Sequence, residues 1–290
     1  MNQDIVLSIA LPVTLFCTML SMGAGLRVQD FKNVLNSPLT ILIGLISQMI
    51  LLPLLALVIL TPLQLAPEIF IGFIILSLSP GGTSSNMFSY LAKGNLALSI
   101  SLTAVVSVIA PFSIPLLASF ILATQLDSSV AIKLPFLITV AKLVVVTLVP
   151  LLLGMIIRRY YSTFCDTYEF WITRIPLMML LLVIVGIINQ NWDKMPFFIE
   201  QSGIPALLLA VLAMVSGYLF AKLCRRTESD ARTIAIETSI QNGGTAILVT
   251  GTILQNPAMT VAPVMYGILM LIPMFLYLAY LNQFKPEYAT

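Results

Sequence analysis

Glu237, Thr238, Ser239, Gln241 and Asn242, followed by Gly243-Gly244-Thr245, form a polar island in an otherwise apolar stretch from about Ala231 to Leu254. Bilayer hydrocarbon contains no water to satisfy such groups, so a carboxylate, two amides and paired glycines at that depth need a local partner. Glu237 is the only acidic residue that falls well inside an apolar stretch. A charge at the bilayer centre costs roughly 2.5–3.5 kcal/mol even on the lenient insertion scale. Its sequence neighbours offer hydroxyls and amides rather than a cationic side chain, so a bound cation would account for an ionised Glu237. A second island, Ser79-Pro80-Gly81-Gly82-Thr83-Ser84-Ser85-Asn86, interrupts another apolar stretch and repeats Gly-Gly-Thr. Proline removes a backbone donor and paired glycines weaken a helix, so both islands read as breaks whose freed backbone groups can line an ion or solute site.

The remaining polar side chains at membrane depth are oxygen-rich: Gln48, Ser99, Ser101, Thr103 and Ser107. Such a set suits a hard cation. Ser99 and Thr103 stand four residues apart and share a helix face. Ser101 and Ser107 are expected to bond their own backbone. Lys142 is expected to snorkel toward an interface, the alternative being a structural or gating partner of a buried carbonyl or carboxylate. The chain has no histidine, and Cys17, Cys165 and Cys224 are too scattered for a disulfide framework or a zinc site. Asn256-Pro257-Ala258 matches the paired motif of water channels but occurs once.

These residues must be held by membrane helices. The composition is 59% hydrophobic and 9% charged, with a mean hydropathy of +1.03, against about 25% charge in soluble domains. At about 20 residues per span, nine spans are expected, at 5–26, 38–60, 67–92, 95–122, 131–157, 171–189, 203–223, 231–254 and 259–282. The first is read as a retained helix rather than a cleaved signal peptide, because no basic region precedes it. Arg27, Lys32, Lys93, Arg158, Arg159, Arg225, Arg226, Arg232 and Lys285 fall on one side, with Arg174 leaning to it, against Lys133 and Lys194 on the other. The positive-inside rule then places the N-terminus outside and the C-terminus in the cytoplasm. The broken third and eighth spans stand five places apart in order, an odd number, so the two are expected to run in opposite senses, as in an inverted repeat. The net charge of +2 gives no reason to expect nucleic acid, and no protein partner is evident.

Pro80-Gly81-Gly82-Thr83-Ser84-Ser85-Asn86 with Tyr90-Leu91-Ala92-Lys93-Gly94-Asn95-Leu96-Ala97-Leu98-Ser99, and Glu237-Thr238-Ser239-Ile240-Gln241-Asn242, resemble the signatures of the bile acid:sodium symporter family. Gly23-Ala24-Gly25-Leu26, Asp30-Phe31 and Gln48 fit as well, so the resemblance covers essentially the whole chain. It implies two discontinuous helices crossing near the midplane, and alternating access between a panel and a core domain. The panel would take about 1–60, 159–200 and the last helix at 259–290; the core would take about 61–158 and 201–258. It further implies two Na⁺ sites. The first would use Ser85, Asn86, Ser99, Thr103 and Glu237. The second would use Gln48, Glu237 and Gln241 with main-chain carbonyls near Thr238 and Ile240. Thr83 and Asn242 would border the solute. Bacterial members often have ten helices. This chain begins at what resembles their second, so its repeats are expected as four plus five. The histidine that lines the crevice of some bile-acid carriers has no counterpart here.

The expected activity is therefore Na⁺-coupled import of an organic anion across a bacterial inner membrane. Candidates are a small carboxylate such as pantoate or a 2-oxo acid, or a bile-acid-like amphipath. Proton coupling through Glu237 and efflux of an oxyanion are the alternatives on the same fold. No cysteine lies at either break, which counts against the oxyanion. The distant alternative, an intramembrane hydrolase built on Ser84 or Ser85, would need a base: no histidine exists and Lys142 is distant in sequence, which leaves only a Glu to assist it.

Overall fold

Long apolar runs can satisfy their backbones in lipid only as helices or closed barrels. The computed structural model is all-α, and it describes residues 9–31, 37–125, 136–190 and 192–284. The first eight residues and Lys32, Lys133 and Lys285 of the charge count lie outside the described residues, as does the side chain of Lys194. The helices are α1 (Leu11–Gly25), α2 (Pro38–Leu63), α3 (Pro67–Ser77), α4 (Thr83–Leu91), α5 (Leu96–Gln125), α6 (Phe136–Tyr160), α7 (Ser162–Thr167), α8 (Glu169–Gln190), α9 (Met195–Leu223), α10 (Glu228–Ser239), α11 (Gly243–Ile253) and α12 (Pro257–Leu281).

Among the described residues, six helices are long and apolar enough to span a membrane, rather than the nine expected: α2, α5, α6, α8, α9 and α12. The protein is thus a multi-pass membrane protein. The difference lies in α1, described over 15 residues, and in the two interrupted spans. The third expected span divides into α3 and α4, because the chain turns out of helix ahead of Pro80-Gly81-Gly82. The eighth divides into α10 and α11, with Ile240 at φ −94°, ψ 98° between them.

Helices α2 and α6 widen locally ahead of a proline, as α11 also widens at Leu248–Ile253. A wide turn at Ser47–Leu51 precedes Pro53, and another at Val144–Leu148 precedes Pro150. Each proline lacks the amide its helix needs and its ring displaces the carbonyl four residues back, so the preceding turn opens. The first of these turns carries Gln48.

Packing gathers α1 against α6 and α8, while α9 lies against α10, α12 and α2. The α1–α6 crossing brings backbone to backbone. A side-chain carbon on Gly23 would stand 2.0 Å from the Leu151 carbonyl oxygen, and one on Gly154 would stand 2.2 Å from that of Leu20. Lipid provides little hydrophobic drive between helices, so close approach through small residues is how membrane helices gain contact. The two breaks meet as well. Gly81 and Gln241 form an antiparallel bridge, and the Asn242 amide donates to the Pro80 carbonyl at 2.8 Å.

Several sequence expectations change. Arg232 is no loop residue; it lies within α10, 4% exposed. Ser101 and Ser107 reach other segments rather than their own backbone, donating to the Asp30 carbonyl at 2.9 Å and to Met22 Sδ at 3.9 Å. Lys142 is exposed on α6 and is not among the hydrogen-bond partners of Glu237. Asn256 serves as a local cap, accepting from the Ala258 amide at 3.0 Å.

Candidate cation and solute site

Glu237 lies near the end of α10 and is 1% exposed. Its Oε1 accepts from Ser85 Oγ at 2.6 Å and from Ser99 Oγ at 2.5 Å. Its Oε2 accepts from Thr103 Oγ1 at 3.0 Å. Three helices thus build the cluster around a single carboxylate: α4 with Ser85, α5 with Ser99 and Thr103, and α10 with Glu237 itself. All five residues expected at the first cation site converge, since Asn86 Oδ1 lies 2.8 Å from Ser99 Oγ.

The protons in this cluster do not go round. Ser85 Oγ also lies 2.7 Å from the Gly82 carbonyl, and Ser99 Oγ faces both Asn86 Oδ1 and Glu237. A hydroxyl carries one proton. At each serine, therefore, only one of two short O···O contacts can be an ordinary hydrogen bond. With Glu237 ionised, the cluster presents more acceptor oxygens than hydroxyl protons, in a place buried from solvent. A hard cation with oxygen ligands would supply the missing positive charge.

The second expected set is less self-satisfied. Gln48 is 1% exposed, and neither its Oε1 nor its Nε2 has a hydrogen-bond partner among the described residues. Gln241 Nε2 donates to the Glu237 and Thr238 carbonyls at 3.2 and 2.9 Å, while its buried Oε1 has no partner among the described residues. A side-chain carbon on Gly81 would stand 2.7 Å from Glu237 Oε2 and 3.3 Å from Gln48 Nε2, so both groups press on that glycine. Buried polar atoms left unpaired are uncommon and need an account. The Thr238 hydroxyl is occupied, donating to the Ile234 carbonyl and facing Ser47 Oγ at 2.7 Å. Ile240 is buried, and its amide donates to the Ile236 carbonyl at 2.8 Å.

Asn242, 8% exposed, caps α11 by accepting from the Thr245 amide at 3.2 Å. That bond uses the carboxamide oxygen and leaves the NH₂ group as a donor. The Thr83 side chain lies outside the described residues, although its backbone opens α4. The helix starts at Thr83 and Gly243 therefore flank the paired breaks.

Two contributors were not foreseen in the sequence. Ser47 holds Thr238, and its only signal was its place beside Gln48. Tyr266 on α12 is fully buried and donates to the Ser239 carbonyl at 2.8 Å, which the end of α10 leaves without a helical donor. A tyrosine in an apolar helix carries no sequence sign of that task. Tyr266→Phe is expected to lower thermal stability by about 1–3 kcal/mol through the stranded carbonyl. Thermal denaturation in detergent measures it; an unchanged midpoint would show the carbonyl finds another donor.

Residues 12–195 match the Sodium Bile acid symporter family. The chain is 29% identical to the uncharacterized sodium-dependent transporter YocS of Bacillus subtilis (strain 168), over 80% of this chain and 71% of the relative. It is 31% identical to the probable chloroplastic sodium/metabolite cotransporter BASS2 of Oryza sativa subsp. japonica, over 84% of this chain but 57% of the relative. With the human ileal sodium/bile acid cotransporter it shares 26% identity, over 82% of this chain and 68% of the relative. Since the matched segment covers well over half of the 290 residues and carries the Pro80–Asn86 break, the chain belongs to the Sodium Bile acid symporter family, a family of carriers and not of enzymes.

Proposed function

We propose that this chain is a Na⁺-coupled symporter that imports a small organic anion by alternating access. The observation that carries the reading is the proton-poor oxygen cluster around the buried Glu237. A membrane carboxylate ringed by three hydroxyls, with no lysine or arginine bonded to it among the described residues, is matched to a cation of hard character. Two ions are proposed. The first is held by Ser85, Asn86, Ser99, Thr103 and Glu237. The second is held by Glu237, the orphaned oxygens of Gln48 and Gln241, and carbonyls near Thr238 and Ile240.

The paired breaks supply the solute side. Anions favour the amides at helix starts, and Asn242 adds a neutral donor, with Thr83 proposed on the opposite break. A small carboxylate such as pantoate or a 2-oxo acid fits these few donors better than a bile-acid-like amphipath, although the similar proteins include one named for metabolites and one named for bile acid. Each charge moved across 100 mV contributes about 2.3 kcal/mol and a tenfold Na⁺ gradient about 1.4 kcal/mol per ion. Two Na⁺ with one monoanion therefore support roughly 10³- to 10⁴-fold accumulation.

For the moving parts, the packing favours α1, α6 and α8 as one body and α2–α5 with α9–α12 as the other. That partition redraws the one expected from sequence, which separated α6 from α1 and joined α2 and α12 to it. The N-terminus is placed outside and the C-terminus in the cytoplasm of a bacterial inner membrane. Bonds between Arg226 and Thr40 and between Arg232 and Ala92 gather basic positions at one end of the bundle, in keeping with the charge rule.

Uptake of labelled pantoate and 2-oxo acids into proteoliposomes tests the reading. Inward Na⁺ gradients are expected to drive accumulation that K⁺ gradients do not. Asn242→Ala is expected to raise the half-saturating solute concentration about tenfold, the worth of a lost hydrogen bond to a charged group. Accumulation driven by a proton gradient without Na⁺ would overturn the Na⁺ coupling.

A further inference from the structure

The segment Ala92–Asn95, which joins α4 to α5, is stitched to the first half of α10. The Asn95 amide donates to the Ser229 carbonyl at 3.3 Å, and Asn95 Nδ2 donates to Asp230 Oδ1 at 2.9 Å. Thr233 Oγ1 donates to the Asn95 carbonyl at 3.3 Å, and Arg232 Nη1 to the Ala92 carbonyl at 3.0 Å. Gly94 permits this approach, because a side-chain carbon there would stand 2.5 Å from Thr233 Oγ1. Asn95 Oδ1 meanwhile accepts from the Leu98 amide at 3.1 Å and so starts α5.

The knot lies in register with the Glu237 cluster. Asn95 and Ser99 are four residues apart at the start of α5, as are Thr233 and Glu237 on α10, so each pair shares one helix face. The Thr233–Asn95 contact and the Glu237–Ser99 contact are successive rungs of one helix–helix seam, about 5.4 Å apart along it. The same linker also fixes the C-terminal end of α4, the helix whose first turn carries Ser85 and Asn86. All three elements that bring oxygen to the site are therefore tied together, one turn from it at Asn95 and Thr233 and about two turns from it at Ala92 and Asp230.

We propose that Asn95, through Asp230, is the positioning residue of the Glu237 cation site: their hydrogen bond sets the α5–α10 register on which the oxygen cage depends. The proposal rests on the reading of that cage as a Na⁺ site. Neither residue is deeply buried, so exchanging their side chains is compatible with folding. Asn95→Asp sets two carboxylates against each other, Asp230→Asn leaves an amide–amide contact, and the double exchange restores one donor and one acceptor with the polarity reversed. In the double variant the carboxylate introduced by Asn95→Asp can still cap the Leu98 amide.

The experiment is a Na⁺ titration of thermal stability in the full chain, at constant ionic strength with K⁺. Asn95→Asp is expected to raise the half-maximal Na⁺ concentration about tenfold, and the Asn95→Asp/Asp230→Asn pair to return it to within about twofold of wild type. The sign discriminates, since an added negative charge acting only at long range would draw Na⁺ in and lower that concentration. A midpoint unchanged or lowered in Asn95→Asp, or no rescue in the pair, overturns the proposal while the wild-type Na⁺ response stands. A wild type indifferent to Na⁺ overturns the site reading and this proposal together.

Discussion

Glu237→Gln is expected to abolish the stabilisation that Na⁺ confers and to reduce Na⁺-driven uptake by about 100-fold or more. A ligand that binds the folded state adds RT ln(1 + [L]/Kd), about 2.7 kcal/mol when Na⁺ is at 100 times its dissociation constant. Glutamine keeps the size of Glu237 but removes the charge toward which Ser85, Ser99 and Thr103 converge. Both proposed ions share that carboxylate, so neither retains its site. In K⁺ alone the variant is expected to melt no lower than wild type, because an ionised carboxylate in a dry site is costly without its counterion. That pair of outcomes separates lost ion binding from lost folding. Thermal shift in Na⁺ against K⁺, with calorimetry, measures both. A Na⁺ increment that survives the substitution would falsify the two-ion site.

Gly154→Ala should cost more in stability than any substitution in the ion cage. The new carbon would stand 2.2 Å from the Leu20 carbonyl oxygen and 2.6 Å from the Ala24 amide nitrogen. Both atoms belong to backbone, which cannot turn aside as a side-chain end would. The helices α1 and α6 must move apart to admit it, and overpacking of that kind costs about 1–3 kcal/mol and at times more. Gly23→Ala meets the same obstacle from the other helix, at 2.0 Å from the Leu151 carbonyl oxygen. Gly25→Ala is the control, since nothing stands within 4 Å of its added carbon. Melting temperature and monodispersity in detergent provide the comparison. Equal behaviour of Gly154→Ala and Gly25→Ala would remove the crossing from the account of stability.

The membrane character, the two breaks and the ingredients of the cage were legible in the sequence, because each violates a strong local rule. Glu237 stands out against apolar neighbours, Pro80-Gly81-Gly82 and Gly243-Gly244 stand out in helical runs, and Ser99 and Thr103 declare a shared face by spacing. Arg232 was misread because a basic residue near the end of an apolar run looks like a loop residue, and only its contact with the Ala92 carbonyl shows what it holds from within a helix. Ser101 and Ser107 were assigned to their own backbone because a lone hydroxyl in a helix gives no hint of a neighbour. The close crossing of α1 and α6 was equally hidden. Hydropathy marks which segments cross the membrane, but it is blind to the approach of backbone to backbone at Gly23 and Gly154.

The sequence by itself determined where the chain cannot be an ordinary helix and which oxygens it carries there, since backbone satisfaction in lipid and the cost of a buried charge act locally. Only the tertiary structure decided that Ser85, Ser99 and Thr103 aim at one carboxylate, that Gln48 and Gln241 have oxygens beside it with no partner among the described residues, and that Asn95 and Asp230 tie the helices one to two turns away. The hydroxyl contacts with Glu237 each span more than 130 residues of chain. They are fixed by the register of packed helices, to which no local pattern refers.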